Sequence, residues 1–544
     1  MKRKILLSSI ANSTASRFSF AAKAVAATLT LGISAGSLFA DSYFTEGNLV
    51  VLRSTYQDTG EIATVVPGST VLPNSANPVA TGDGNFSNVL LNSSVDGNFG
   101  VTSPIFLDQI TTGGSLVNTL NVTAAAASQG VNLTTSFTSR SEGSINLSQD
   151  GTSLSFLGYA APVGAIDRSN ASTPGLNAAN GDIATPTYRE VGQITASGGV
   201  IANTTTNAFS GDNGRAAILA NNGFIYGIGN TGASGTTGAN AAVLNTGVQL
   251  FTPGQTATSG ALGTVSLGSY NVTQNGITAD KLAKDNNFRG ETIYNNTLYI
   301  AKGSGSNGVN TVYRVGTPGS LPTAAGSATI SILPGFNTTS EKADEAISGN
   351  VNLLHPFGLY FANASTLYVS DEGNNLVADE TNPNTNNPNA GLQKWVNSAP
   401  DGSGTWSLEY TLRLGLNLGT PYSTPGYSTG STAVTNVATD GLRQITGTVN
   451  GDGTTTIYAV TATVSSAGDA GADPNKLVAI TDTLADTTLS QASGEQFTTL
   501  DSAVTGDVIR GVSFTPTPEP TSAVLLVSAG GMALGFIRRR KVQA

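Results

Sequence analysis

Four arginines stand at equivalent points of a repeating pattern: Arg215, Arg289, Arg443 and Arg510, each just ahead of a short apolar segment. A guanidinium grips a carboxylate or phosphate through two parallel N–H donors. Ringed around one channel mouth, the four would hold an anionic ligand. The structural alternative is that each ties its own segment to a neighbouring blade or loop. Glu142 occupies the same point of another repeat, and Asp212, Asp440 and Asp507 lie close enough in sequence to neutralise such a ring.

Two oxygen-rich stretches suggest a second chemistry. "DEGNNLVADE" (residues 371–380) and "VNGDGTTT" (residues 449–456) make Asp371, Glu372 and Asp452 candidate ligands for calcium, Ca2+. Calcium takes about six to eight oxygen ligands. Neither stretch has EF-hand spacing, and Asn-Gly-Asp-Gly is equally the sequence of a hairpin turn. The single histidine, His355, is either a base or metal ligand, or a turn residue ahead of Pro356. The turn is the reading we adopt. With one His and no Cys, the usual zinc sites, thiol nucleophiles and disulfides are excluded, and Ser-His-Asp catalysis would have to run through His355. The Gly-rich stretches "GNFG" and "GSGSNG" are not followed by helical patterns, so no phosphate-cradling loop is present. No catalytic residue is assigned.

The elements that must position these residues are short strands. Gly is 65 of 544 residues and Ser, Thr and Asn fill much of the rest, the composition of strands joined by many turns. Hydrophobic content of 39% supports a packed core. A net charge of -10 argues against binding nucleic acid, which needs basic patches. Six segments repeat a hairpin: "SEGSINLSQDGTSLSFLGY", "GRAAILANNGFIYGIG", "FRGETIYNNTLYIAKG", "HPFGLYFANASTLYVSDEG", "GLRQITGTVNGDGTTTIYAVT" and the lone strand "IRGVSFTP". Measured between Glu142, Arg215, Arg289, Phe357, Arg443 and Arg510, the spacings are about 73, 74, 68, 86 and 67 residues. Two further strand candidates follow each complete hairpin, as "NTVYRVG" and "ATISILPG" or "GLQKWV" and "WSLEYTLRL" do.

Four strands per repeat predict an all-β fold: a β-propeller of six four-stranded blades, with seven blades as the alternative count and tandem β-sandwiches as the alternative architecture. The last repeat stops after one strand, and the first strands, "GNLVVLRS", "PIFLDQI" and "SLVNTLNV", lack an opening strand. The pattern predicts that the N- and C-terminal strands pair, residues 509–514 against 49–53, and close the ring without an exposed edge.

Both ends of the chain carry sorting features. Residues 1–40 run from a basic segment through the apolar "AVAATLTLGI" to the small residues of "SAGSLFA", the order of a secretory signal peptide. Residues 516–544 contain Pro518-Glu519-Pro520, an apolar run at residues 523–537, then Arg538, Arg539 and Arg540. As a helix that run reaches roughly 22 Å, short of a bilayer core, and the arginines would keep its end cytoplasmic. Between the two ends lies the propeller domain, residues 41–515.

The Pro-Glu-Pro triplet, apolar run and arginine cluster together resemble the PEP-CTERM sorting signal. The resemblance implies a Gram-negative-type bacterium, with a signal peptidase and an exosortase-type enzyme as processing partners. It also implies transient anchoring in the inner membrane and release to the cell surface or extracellular matrix. "HPFGLYFANASTLYVSDEGNNLV" (residues 355–377) resembles an NHL-type propeller repeat. Much of the body resembles a group of secreted bacterial proteins with PEP-CTERM tails, which brings no activity with it. Two functions are expected from different classes. One is a surface or matrix protein whose propeller binds a polysaccharide, peptide or surface protein, or serves structurally. The other is an extracellular calcium-dependent hydrolase or lyase acting on polysaccharide or phosphate esters.

Overall fold

The computed structural model describes residues 42–73, 79–80, 100–176, 185–232, 246–279, 281–303, 307–343, 354–374, 389–424, 437–464 and 471–518. All belong to the compact unit Asp41–Ala544. The signal-peptide region, Glu519, Pro520, the apolar run and Arg538 to Arg540 lie outside them, as does most of the Asn/Pro-rich stretch after Asp379. Among the described residues no helix is long and apolar enough to cross a membrane.

The chain is an all-β propeller. Four four-stranded sheets are joined by one eight-stranded sheet. Each repeat hairpin expected from sequence forms the first two strands of a four-strand unit: Gly290–Tyr294 with Thr297–Lys302, Pro356–Asn363 with Thr366–Asp371, Ala438–Val449 with Thr454–Val464. Thr311–Val315 and Ile330–Ile332 complete the first of these, Gly391–Asn397 and Trp406–Leu412 the second, Lys476–Thr483 and Thr498–Ser502 the third. The turns show why. Asn295 and Asn296 both take positive φ (45° and 54°), the left-handed geometry of a two-residue hairpin that asparagine tolerates best among residues with a side chain.

The terminal strands pair as expected. Leu49–Thr55 lies antiparallel to Asp507–Phe514, with Leu49 opposite Phe514 and Arg53 opposite Ile509, and a bulge between Leu52 and Arg53. Ile105–Ile110 and Leu116–Asn121 complete that sheet. A short Ala-rich helix, Val122–Ala127, follows, capped where Asn121 Oδ1 accepts from the Ala124 amide at 2.9 Å.

The eight-stranded sheet contains two repeats instead of one. Ser144–Leu147, Ser153–Tyr159, Arg189–Thr195 and Val200–Thr206 form one half; Gly214–Leu219, Ile225–Gly229, Val248–Phe251 and Val265–Gly268 form the other. Their first strands run parallel and pair at two positions only, Ala216 with Ser144 and Ala217 with Ile145.

Successive sheets pack face to face, so the first strands are buried on both sides. Val50 and Leu52 face Ile145, Leu154 and Phe156, whereas Leu49 and Val51 face Tyr458, Val460 and Leu477. The two-residue period of a strand sends alternate side chains into different cores. Phe209, Leu157 and Phe251 fill the gap between the halves of the large sheet, and Trp395 and Trp406 fill that between the Gly290 and Pro356 sheets. Backbones approach closely at the centre. A Cβ at Gly290 would sit 2.0 Å from the Phe357 carbonyl oxygen, so only glycine fits. Tandem sandwiches would stack two large sheets; small sheets each packed on two neighbours are the propeller arrangement instead.

Candidate functional site

Arg215 and Arg289 sit at the starts of innermost strands, Arg443 and Arg510 midway along theirs, and all four reach sideways to adjoining segments. Arg215 Nη1 donates to the Phe288 carbonyl at 2.8 Å and to Asn287 Oδ1, both just ahead of the Gly290–Tyr294 strand. Arg289 and Arg443 reach from opposite sides to one carboxylate, Glu372: Arg289 Nη2 lies 3.5 Å from Oε1 and Arg443 Nε 3.4 Å from Oε2. Arg510 donates to the carbonyls of Ser136, Phe137 and Ser139, in the segment leading to Ser144–Leu147. Arg215, Arg443 and Arg510 are almost fully buried. Burial lowers the pKa of Arg215, Arg289 and Arg443, and neighbouring guanidiniums add to that pull. The geometry is that of latches between neighbouring sheets.

Sequence reasoning missed two members of this belt. Arg140, half-buried, acts electrostatically on Arg289, Arg443 and Glu372. Arg189, fully buried within its strand, donates to the carbonyls of Ser169, Ala171, Thr187 and Asp212. Neither stands at the repeat point; the one signal for Arg189 is a charge inside the strand pattern "REVGQIT".

The acidic residues are likewise engaged. Glu142 accepts from Thr135 Oγ1, the Ser136 amide, Tyr159 Oη and Asn213. Asp507 pairs with Arg53 at 3.1 Å, away from the repeat arginines. Asp212 lies 3.8 Å from Lys284 Nζ. The Asp371 carboxylate accepts from the amides of His355 (2.8 Å) and Gly373 (3.0 Å), and its pKa is raised, burial being the main cause. The first of those bonds ties the His355 amide down just ahead of the Pro356–Asn363 strand. Asp452 accepts from the Thr454 amide and hydroxyl in an exposed hairpin turn. Among the described residues no three His, Asp or Glu side chains converge as a metal site. Asp371 and Glu372 adjoin in sequence, but their oxygens turn to different partners and Asp452 joins neither.

Glu372 is where charge and stability meet. Burial alone would raise its pKa; Arg289 and Arg443, then His355 and Arg140, bring it below the ordinary 4.5. A lowered carboxyl stabilises the fold above the unfolded-state pKa, and that contribution is lost as pH falls through the folded value. Glu372→Gln should therefore cost about 3 kcal/mol at pH 7, where two buried guanidiniums lose their counter-charge. The gap to wild type should close below pH 4.5. Urea unfolding of both proteins between pH 7 and pH 3 checks this; a pH-independent gap would sink the assignment.

The same innermost strands line a partly open cavity of about 250 Å³. Its walls come from Ser144–Leu147, Gly214–Leu219, Gly290–Tyr294, Pro356–Asn363, Ala438–Val449 and Asp507–Phe514. Gln444 closes one side. Its amide oxygen accepts from the Ile145 (2.9 Å) and Val512 (3.1 Å) amides, and its nitrogen donates to the Ile145 carbonyl and, at 3.4 Å, to Asn146 Oδ1. One side chain thus bridges two strands that do not pair directly.

No family model matches the chain, and no curated protein matches it. Among solved structures, a glucose dehydrogenase crystal structure is similar at 10% identity, over 66% of this chain and 89% of that one, with a TM-score of 0.28. That likeness is too distant to bear on the chemistry.

Proposed function

We propose that this is an exported protein of the cell surface or extracellular matrix, delivered through a PEP-CTERM/exosortase-type signal, whose propeller is a binding or structural module. The observation that carries it is the exposure of Pro518. Thr515 donates to the Asn48 carbonyl at 3.0 Å and Thr517 to that of Gly151 at 2.8 Å, whereas Pro518, the first residue of the Pro-Glu-Pro triplet, is exposed. A processing enzyme would meet Pro518 at the surface. The arginine latches favour a binding or structural role, since their guanidiniums join sheets together.

On this reading the propeller has six blades, the eight-stranded sheet counting as two. Six apolar cores linking successive four-strand units support that count, as does a cavity walled by six innermost strands. The test is intact mass of the protein recovered outside the cell. The expected species runs from about Asp41 to about Pro518. Recovery of a chain still carrying Arg538 to Arg540 would overturn tail removal.

A further inference from the structure

One buried ion pair stands apart from the arginine latches. Lys394, on Gly391–Asn397, and Asp482, on Lys476–Thr483, meet between the last two sheets, with Nζ 2.8 Å from Oδ2 and both side chains 0% exposed. Leu392, Leu412, Ile480 and Phe497 belong to the apolar core that joins these sheets. Tyr410 Oη donates to Asp482 Oδ1 at 2.6 Å, and Tyr368 Oη donates to Oδ2. Burial first, then Asp482, holds both phenols above the ordinary 10.0, so they remain donors. A second carboxyl adjoins the pair. Glu495 Oε1 accepts from the Thr483 amide at 2.8 Å, while Oε2 is shut off from water and receives no donor. The Glu495 carboxyl is hydrogen-bonded to Asp482, and two carboxyls bond only when one of them carries a proton. An amine, a carboxyl polarised by two donors and a carrier of protons thus converge at one point.

We propose that Lys394 and Asp482 condense into an intramolecular amide cross-link, with Glu495 carrying the proton. A proton first passes within the ion pair, from Nζ to the Asp482 carboxylate, leaving an amine and an acid. Burial favours that uncharged form. The Nζ lone pair then attacks Cγ, a C–N bond forms, and the negative charge settles on the oxygen to which a phenol donates. Glu495 gives its proton to the Asp482 hydroxyl. The C–O bond breaks, water leaves and the C=O reforms. The surplus proton on nitrogen then restores Glu495. Ammonium and carboxylate become amide and water, and no oxidant or reductant is needed. The amide keeps one hydrogen for the Thr483 or Asp486 carbonyl, which Nζ already reaches at 2.8 and 2.9 Å. Groups held in contact this way react with effective concentrations of about 10⁵ M or more. In a chain without cysteine, the cross-link would constrain the unfolded state as a disulfide does.

The cross-link is independent of export. Tryptic peptide mapping of the denatured full chain by mass spectrometry tests it. The expected product joins residues 343–413, uncut at Lys394, to residues 477–510, and is lighter than the two together by one water, about 18 Da. Glu495→Gln keeps a hydrogen-bonding group but has no acid proton to give. It should fold, by circular dichroism, and yield at least tenfold less of the joined peptide. A wild-type map with Lys394 cleaved throughout and residues 477–510 free would overturn the cross-link. Complete joining in Glu495→Gln would overturn the role of Glu495. The wild-type map decides the cross-link even if that variant fails to fold.

Discussion

Deleting residues 507–514 should abolish cooperative unfolding, whereas ending the chain after Pro518 should leave the melting curve unchanged. The strand Asp507–Phe514 is innermost in its sheet and is flanked on one side by Leu49–Thr55, at the other end of the sequence. Its removal strips Ile509 and Val512 from the core that also holds Val51, Tyr458 and Leu477. It removes Arg510, which latches the segment ahead of Ser144–Leu147, and the Val512 amide that Gln444 caps. It also uncovers the full edge of Leu49–Thr55, a template for aggregation. Two fully buried large aliphatic side chains alone amount to roughly 4 kcal/mol or more, a large part of a typical protein's stability. Calorimetry of both truncations decides. A 507–514 deletion that melts like the full chain would refute the account of closure.

Asp482→Ala should cost about 3 to 5 kcal/mol, the largest loss expected from any single substitution considered. Asp482 and Lys394 are both fully buried, with Nζ 2.8 Å from Oδ2, and they join the last two sheets in the chain. Lys394 also donates to Tyr410 Oη and to the carbonyls of Thr483 and Asp486. Tyr410 and Tyr368 in turn donate to the two Asp482 oxygens. Removing the carboxylate strands an ammonium and two phenols, and the neighbouring Glu495 carboxyl, hydrogen-bonded to Asp482 in the intact protein, offsets only part of that loss. Asp482→Asn, which keeps an acceptor, should lose less. Replacing both charges, Lys394→Met with Asp482→Leu, should recover part of the loss, because the cost lies in the stranded charge. Urea denaturation gives the values; an Asp482→Ala loss below about 1 kcal/mol would contradict the buried-pair reading.

The hairpins and the composite terminal sheet were legible from sequence; the antiparallel register of that sheet and its bulge at Leu52/Arg53 were not. What was legible follows from local rules: Asn-Asn and Asp-Gly turns fix where a strand reverses, and a period of two fixes which side chains share a face. The orphan strand at residues 509–514 and the missing opening strand at residues 49–53 were complementary by count alone. Other features were decided only in three dimensions. The parallel touch of Ser144–Leu147 with Gly214–Leu219 merges two repeats into one sheet, and no local signal marks a two-position contact. The equivalent spacing of Arg215, Arg289, Arg443 and Arg510 is plain in the sequence, but their partners are mostly backbone carbonyls, which every residue carries and no pattern distinguishes. Glu291 lies inside the repeat segment "FRGETIYNN", where nothing in the sequence singles it out. In the fold it is 5% exposed, because neighbouring sheets pack over its strand. Composition and periodicity set which segments become strands; desolvation, and with it the protonation and partners of each charged group, depends on how the sheets pack around the centre.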